Sequence, residues 1–100
     1  MIVSLLSALA EPTRLGALRV LWDGGEHCVC ELMRRLGATQ SRMSRHMGVL
    51  KAAGLVTDRR DAQWVRYRLA DLEPEVRDLL AAALAAEAAL EKSDPERNAA

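Results

Sequence analysis

Residues 27–54, HCVCELMRRLGATQSRMSRHMGVLKAAG, carry two short apolar stripes on either side of a break at Gly37. Val29, Leu32, Met33 and Leu36 recur at helical spacing, which predicts a helix over about 29–36. Thr39 stands where an N-cap belongs. Met43, Met47 and Leu50 then form the inward stripe of a second helix over about 40–53, with Gly54 as its stop. The two are expected to form a helix-turn-helix. A pair of cysteines, Cys28 and Cys30, sits on the start of its first helix.

Upstream of this stretch, Ile2, Leu5, Leu6 and Leu9 predict a short amphipathic helix over 2–10. Pro12 opens another, with Leu15, Leu18, Leu21 and Trp22 on one face and Gly24-Gly25 at its end. Downstream, 55–60 and 64–69 predict two strands around the polar turn Asp61-Ala62-Gln63. Val65, Tyr67 and Leu69 alternate with Arg66 and Arg68, giving one apolar face and one basic face. A long helix rich in Ala and Leu is expected from Asp71, with Pro74 in its first turn. The predicted fold is mainly α with a β-hairpin, in one domain over 1–92, and 93–100 is expected to be a disordered tail.

The formal net charge of zero conceals a segregated distribution. Between residues 34 and 68 nine cations face two acids, Asp58 and Asp61, a local charge of +7. The first 33 residues carry −2 and the last 32 carry −5. A basic centre between acidic ends is what a phosphate-binding surface on a globular scaffold requires. No stretch approaches the roughly 20 apolar residues of a membrane span, and the opening MIVSLLSALA lacks the cationic start of a signal peptide. Two cysteines without an export signal point to the reducing cytoplasm.

The second helix of a helix-turn-helix enters the major groove N-terminus first. Here that end offers Thr39, Gln40, Ser41, Arg42, Ser44 and Arg45. Gln pairs bidentately with adenine, Arg with guanine, and Ser is adaptable. The hairpin, with Arg59, Arg60, Arg66 and Arg68, is suited to backbone contacts with its tip near an adjacent minor groove, and Arg60, Gln63 and Arg66 are its candidate DNA-binding residues. His46 has two readings, a base contact or a hydrogen-bonded structural residue between the helix and the hairpin.

Cys28 and Cys30 are two residues apart, which in a regular helix means about 200° of rotation. Both thiols reach one ion only if that first turn is loosened or non-helical. Ligand binding would then distort the helix that supports the reading helix and so couple to DNA affinity. Soft thiolates suit soft ions, and two are too few for a four-coordinate zinc site. The alternative is a pair of small buried apolar residues without a ligand.

Four stretches together resemble the ArsR/SmtB family of winged-helix metalloregulatory repressors over residues about 4–92. They are LSALAEPTRLGAL, CVCEL, TQSRMSRHMGVLKAAGLV and WVRYRL. The resemblance implies a winged helix-turn-helix homodimer joined through its first and last helices and bound to double-stranded operator DNA. It implies repression relieved by trivalent arsenic or antimony, As(III) or Sb(III), with Cys28 and Cys30 as ligands. Arsenic-responsive members often carry a third cysteine where this chain has Met33, and no histidine accompanies Asp71 and Glu75 on the last helix for a zinc site. Two thiolates would hold arsenite with help from an outside ligand, and would by themselves satisfy a monosubstituted organoarsenical. A thiol-redox sensor and a constitutive DNA-binding module are the alternative regulators. A thiol enzyme is disfavoured, because no nucleophile–base arrangement or anion loop accompanies the cysteines.

Overall fold

A computed structural model describes residues 1–93, and the rest of the expected tail, 94–100, lies outside the described residues. The elements run α1 (Ile2–Leu9), α2 (Pro12–Leu21), β1 (His27–Cys28), α3 (Val29–Leu36), α4 (Gln40–Ala52), β2 (Val56–Asp61), β3 (Trp64–Leu69) and α5 (Pro74–Ser93). All five expected helices and both hairpin strands are present. The unexpected element is β1, two residues long, which pairs antiparallel with β3 to complete a three-stranded sheet in the order β1-β3-β2.

Local chemistry sets most of the boundaries. Glu11 caps α2 through its carboxylate, which accepts from the backbone N–H of Thr13 at 3.0 Å and of Arg14 at 2.9 Å, and Pro12 follows at N1. Thr39 caps α4 by accepting from the Arg42 N–H at 3.3 Å. Gly54, at φ +79°, closes α4 in a left-handed turn, with its N–H on the Lys51 carbonyl and the Leu55 N–H on the Leu50 carbonyl, both at 3.0 Å. Gly37, at φ +67°, ends α3 in the same conformation.

Several boundaries differ from expectation: α1 ends at Leu9 and not at residue 10, and Ser93, expected in the tail, is the last residue of α5. The last helix begins at Pro74 and not at Asp71, because the residue before a proline is pushed out of the α region and Glu73 therefore serves as the cap, its carbonyl accepting from the Arg77 N–H at 2.9 Å. The first hairpin strand is shifted by one residue, to 56–61. Asp61 pairs with Trp64 and the turn shrinks to Ala62-Gln63, with Ala62 at φ +57°. α4 stops one residue early, with Ala53 as its C-cap.

The core lies where α2, α3, α4 and α5 meet the inner face of the sheet. Leu18, Leu21, Leu32, Met43, Met47, Leu50, Leu55 and Leu80 are fully buried there. α5 is tied to α2 by Arg19, which donates to the Leu84 carbonyl at 3.0 Å, and by Arg77, whose guanidinium lies 4.6 Å from the centre of the Trp22 ring. α1 is only half covered. Leu5 and Ala8 are buried, whereas Ile2 and Leu6 of its expected apolar stripe are exposed, as are Val3 and, at the far end of α5, Leu90.

Glu11 gives this scaffold an acid-sensitive point. Burial raises its pKa, but the hydrogen bonds from Thr13 and Arg14 and the nearby His46 outweigh that and hold it below the usual glutamate value. Its stabilisation is therefore complete above the unfolded-state pKa and is lost as pH falls through the lower folded-state value. Glu11→Ala should cost about 0.5–2 kcal/mol in urea unfolding at pH 7 and at constant protein concentration. The difference from wild type should shrink as the pH is lowered below about 4.5, a trend that a pH series of melts would check.

Candidate functional site

The exposed N-terminal end of α4 brings the expected groove-facing residues together. Thr39, Gln40, Ser41, Arg42, Ser44 and Arg45 are all exposed, whereas Met43, Met47 and Leu50 on the opposite side are fully buried. One face is anchored and the other is free, so the backbone of this helix is rigidly placed while its polar side chains remain available.

His46 is not between the helix and the hairpin. Its Nδ1 lies 3.2 Å from Arg14 Nη1 and 3.4 Å from Glu11 Oε2, at the capped start of α2. Arg14 also donates to the Ala8 carbonyl at 2.7 Å and to the Ser7 carbonyl at 3.3 Å. The cluster joins the ends of α1 and α2 to the middle of α4. The Glu-Pro-Thr-Arg run thus ties the start of α2 to α4.

On the hairpin, Arg60 and Gln63 are exposed at and beside the tip. Arg66 donates to Asp61 at 2.8 Å across the strands, and Arg59 makes a two-pronged contact with Glu26 at 2.9 and 2.7 Å. Lys51 of α4 pairs with Asp58 of β2 at 2.9 Å. Among the described residues, Arg34, Arg42, Arg45 and Arg60 have no acidic partner, so the unpaired part of the basic segment includes two arginines of α4 and one of the hairpin.

The non-helical start that convergence of the cysteines requires is already present, so no helix has to unwind. Cys28 is not in the helix. It is the last residue of β1 and the N-cap of α3, with extended backbone at φ −65°, ψ 144°. Cys30 is in the first turn of α3, its Cα 5.1 Å away, and the two sulfurs are joined as a disulfide. Because one thiol hangs from a strand and the other from a helix, they converge without any change in α3. The Cys30 N–H also points at Cys28 Sγ, at 3.2 Å. Cys28 is buried against the core, and Cys30 is exposed.

His27 does not turn toward the cysteines. It lies between two carboxylates, Glu31 at 2.8 Å from Nδ1 and Asp23 at 2.9 Å from Nε2. Engagement of both ring nitrogens by acceptors favours the doubly protonated ring. Burial opposes that charge, but the bonds to Glu31 and Asp23 prevail and hold the pKa above the ordinary histidine value. Glu31 also accepts from Arg35 at 3.1 Å. Among the described residues, no cluster of three or more His, Cys, Asp or Glu side chains is arranged to hold a metal ion.

β1 and Glu26 were not foreseen. A two-residue strand is too short to show alternation, and Glu26 meets Arg59 only through the sheet, 33 residues away. They link the cysteines to the hairpin, because Cys28 stands opposite Arg66 and His27 opposite Tyr67.

A helix-turn-helix followed by a hairpin that packs back on its support helix defines the winged helix-turn-helix class. Residues 11–58 match the model of the bacterial regulatory proteins of the arsR family. The chain is 39% identical to HlyU from Vibrio cholerae, covering 82% of this chain and 86% of that structure at a TM-score of 0.71. A homodimeric winged helix-turn-helix DNA-binding domain from Mycobacterium bovis, a possible ArsR-family regulator, is 30% identical at a TM-score of 0.72, over 91% of this chain and 82% of that one. The arsenical resistance operon repressor of Escherichia coli K12 is 43% identical over 67 residues, 67% of this chain and 57% of the repressor. The chain belongs to the ArsR family, whose fold is that of transcriptional regulators and not of enzymes. It spans little more than half the length of the curated relatives it matches first. No described helix is long and apolar enough to cross a membrane.

The unequal exposure of the two sulfurs has a direct chemical readout. After reduction, limiting iodoacetamide should label Cys30 several-fold faster than Cys28, as peptide mass spectrometry would show. Equal rates would contradict the burial of Cys28.

Proposed function

We propose that this chain is a metalloid-responsive transcriptional repressor. It binds double-stranded operator DNA as a homodimer in the cytoplasm and is released when trivalent arsenic or antimony binds Cys28 and Cys30. The observation that carries the reading is the convergence of the two sulfurs at the end of a strand that is paired with the wing. The E. coli relative, an arsenical resistance operon repressor, supports the class of inducer.

On DNA, α4 lies in the major groove. Gln40 and Arg45 face base edges, and Thr39, Ser41, Arg42 and Ser44 contact phosphate or adaptable base positions. Arg60, Gln63 and Arg66 reach the backbone from the wing. Of the two readings of His46, its bonding to the start of α2 supports the structural one, in which it positions α4. The homodimer is built on α1 and α5. The exposure of Ile2 (55%), Val3 (65%), Leu6 (47%) and Leu90 (64%) supports this, since it leaves an apolar surface that a second copy would cover.

The signal travels through the sheet. A ligand that draws on Cys28 pulls on the residue opposite Arg66, and through Glu26 on Arg59. Glu26 competes with phosphate for Arg59, so any movement of β1 changes what the wing offers to DNA.

An operator-shift titration of protein reduced with a phosphine tests the assignment, since arsenite bonds to thiols and not to the disulfide. Arsenite should release wild-type protein, and Cys28→Ser or Cys30→Ser should bind operator normally yet stay bound. Release of either variant at wild-type arsenite concentrations would remove the cysteines from the sensor. Glu26→Gln should bind operator several-fold more tightly at low salt, because it frees Arg59. It should also narrow the affinity ratio measured with and without arsenite. An unchanged ratio would exclude Glu26 as the link.

A second regulatory reading, a thiol-redox sensor, is favoured by the Cys28–Cys30 disulfide. Peroxide-driven release of operator, with no response of the reduced protein to arsenite, would establish it in place of the first.

A further inference from the structure

The hairpin has two unlike faces, because residues directly opposite each other in an antiparallel pair share a face. Val56 with Leu69, Asp58 with Tyr67 and Arg60 with Val65 lie on one side, where Val56, Tyr67 and Leu69 join the core. Thr57 with Arg68, Arg59 with Arg66 and Asp61 with Trp64 lie on the other. On this outer face each arginine has an acid: Glu26 for Arg59, Asp61 for Arg66 and Asp71 for Arg68. Trp64 has no such tie. It is 37% exposed, and among the described residues no cation stands over its ring and no group accepts from its indole N–H. The other exposed large apolar side chains among the described residues stand on or beside α1, α4 and α5. Trp64 is set apart from them, next to the Ala62-Gln63 turn at the tip of the wing.

We propose that Trp64 is a DNA-contacting residue, its ring laid against deoxyribose and its indole N–H donating to a phosphate oxygen at the edge of the minor groove. The inference rests on the reading that the wing meets operator DNA. Indole has an apolar body and one donor, with no acceptor to repel phosphate. A sugar–phosphate strand offers the complement, C–H surface on the sugar and acceptors alone on the phosphate. Asp61, opposite Trp64, is the one acid at this end of the outer face, and Arg66 holds it at 2.8 Å. Arg60, without an acidic partner, projects from the other face one position before Asp61. A tip set against the groove therefore turns a guanidinium toward one strand and an indole toward the other. Sugar and phosphate are the same at every base pair, so Trp64 adds affinity without sequence preference. Indole is uncharged, so its contact releases no counterion. Those two properties separate its contribution from that of the arginines around it.

The test uses the full chain, reduced with a phosphine, and a duplex that the wild-type protein selects from a random-sequence pool. The difference in emission between wild type and Trp64→Phe reports Trp64, and the emission left in Trp64→Phe reports Trp22, which is packed beside Arg77 of α5. Saturation with the duplex should cut acrylamide quenching of Trp64 about twofold or more, as the indole leaves water, and should leave Trp22 unchanged. Trp64→Ala should weaken binding about three- to tenfold at every salt concentration, with Trp64→Phe in between. The slope of log affinity against log salt should stay as in wild type for Trp64→Ala, whereas Arg60→Ala should lower it by about one per protomer. Unchanged quenching of Trp64 in protein that binds the duplex would overturn the contact and leave the DNA reading in place. Weaker binding by Trp64→Ala without that shielding would overturn it too, by giving Trp64 a role only in holding the hairpin. So would shielding that grows with protein concentration in the absence of DNA, since it would place Trp64 between two copies of the chain. A pool that yields no bound duplex would remove the DNA reading itself, and this inference with it.

Discussion

Cys28 occupies two structural roles at once, and the organisation of the site depends on that. It ends β1, opposite Arg66 of β3, and it caps α3, with its sulfur facing the Cys30 N–H. A strand residue projects its side chain roughly perpendicular to the sheet, while the first residues of a helix project theirs outward from a turning backbone. The junction of the two brings side chains two positions apart onto one point, which neither a continuous strand nor a continuous helix would do in this way. Because the same residue belongs to the sheet, the cysteine pair and the wing share a backbone.

α4 is held from two sides. Met43, Met47 and Leu50 seat it on the core, and the Glu11–Arg14–His46 cluster fixes it to the start of α2. Both anchors lie away from the face that carries Gln40, Ser41, Ser44 and Arg45. The wing is held differently, by ion pairs between exposed groups such as Glu26–Arg59 and Asp61–Arg66. Such pairs contribute little to stability, which is what the proposed exchange with phosphate requires. A doubly anchored α4 beside a wing held by exposed ion pairs is the arrangement that the proposed regulation through the wing calls for.

The charge distribution follows the same division. The segment from 34 to 68 has a surplus of seven positive charges. Several of its arginines are nevertheless spoken for by acids from other elements, Arg59 by Glu26 and Arg68 by Asp71 among them. The cations left without an acidic partner among the described residues include Arg42 and Arg45 on α4 and Arg60 on the hairpin. Pairing thus narrows a broad basic stretch to Arg34 of α3 and the surfaces that α4 and the wing present.

The helices, their caps and the β-hairpin were legible in the chain itself, because they rest on interactions between residues a few positions apart. Apolar spacing marked α3 and α4, Thr39 marked the cap, and Gly37 and Gly54 marked the stops. The exposed face of α4 and the two cysteines were legible for the same reason. What no local pattern could supply was contact between distant segments. β1 exists only because β3 lies beside it, Glu26 finds Arg59 only across the sheet, and His46 meets Glu11 and Arg14 only after α4 packs on α2. Helical geometry alone would have separated the two thiols. The partner strand, by drawing Cys28 out of the helix, decided that they meet.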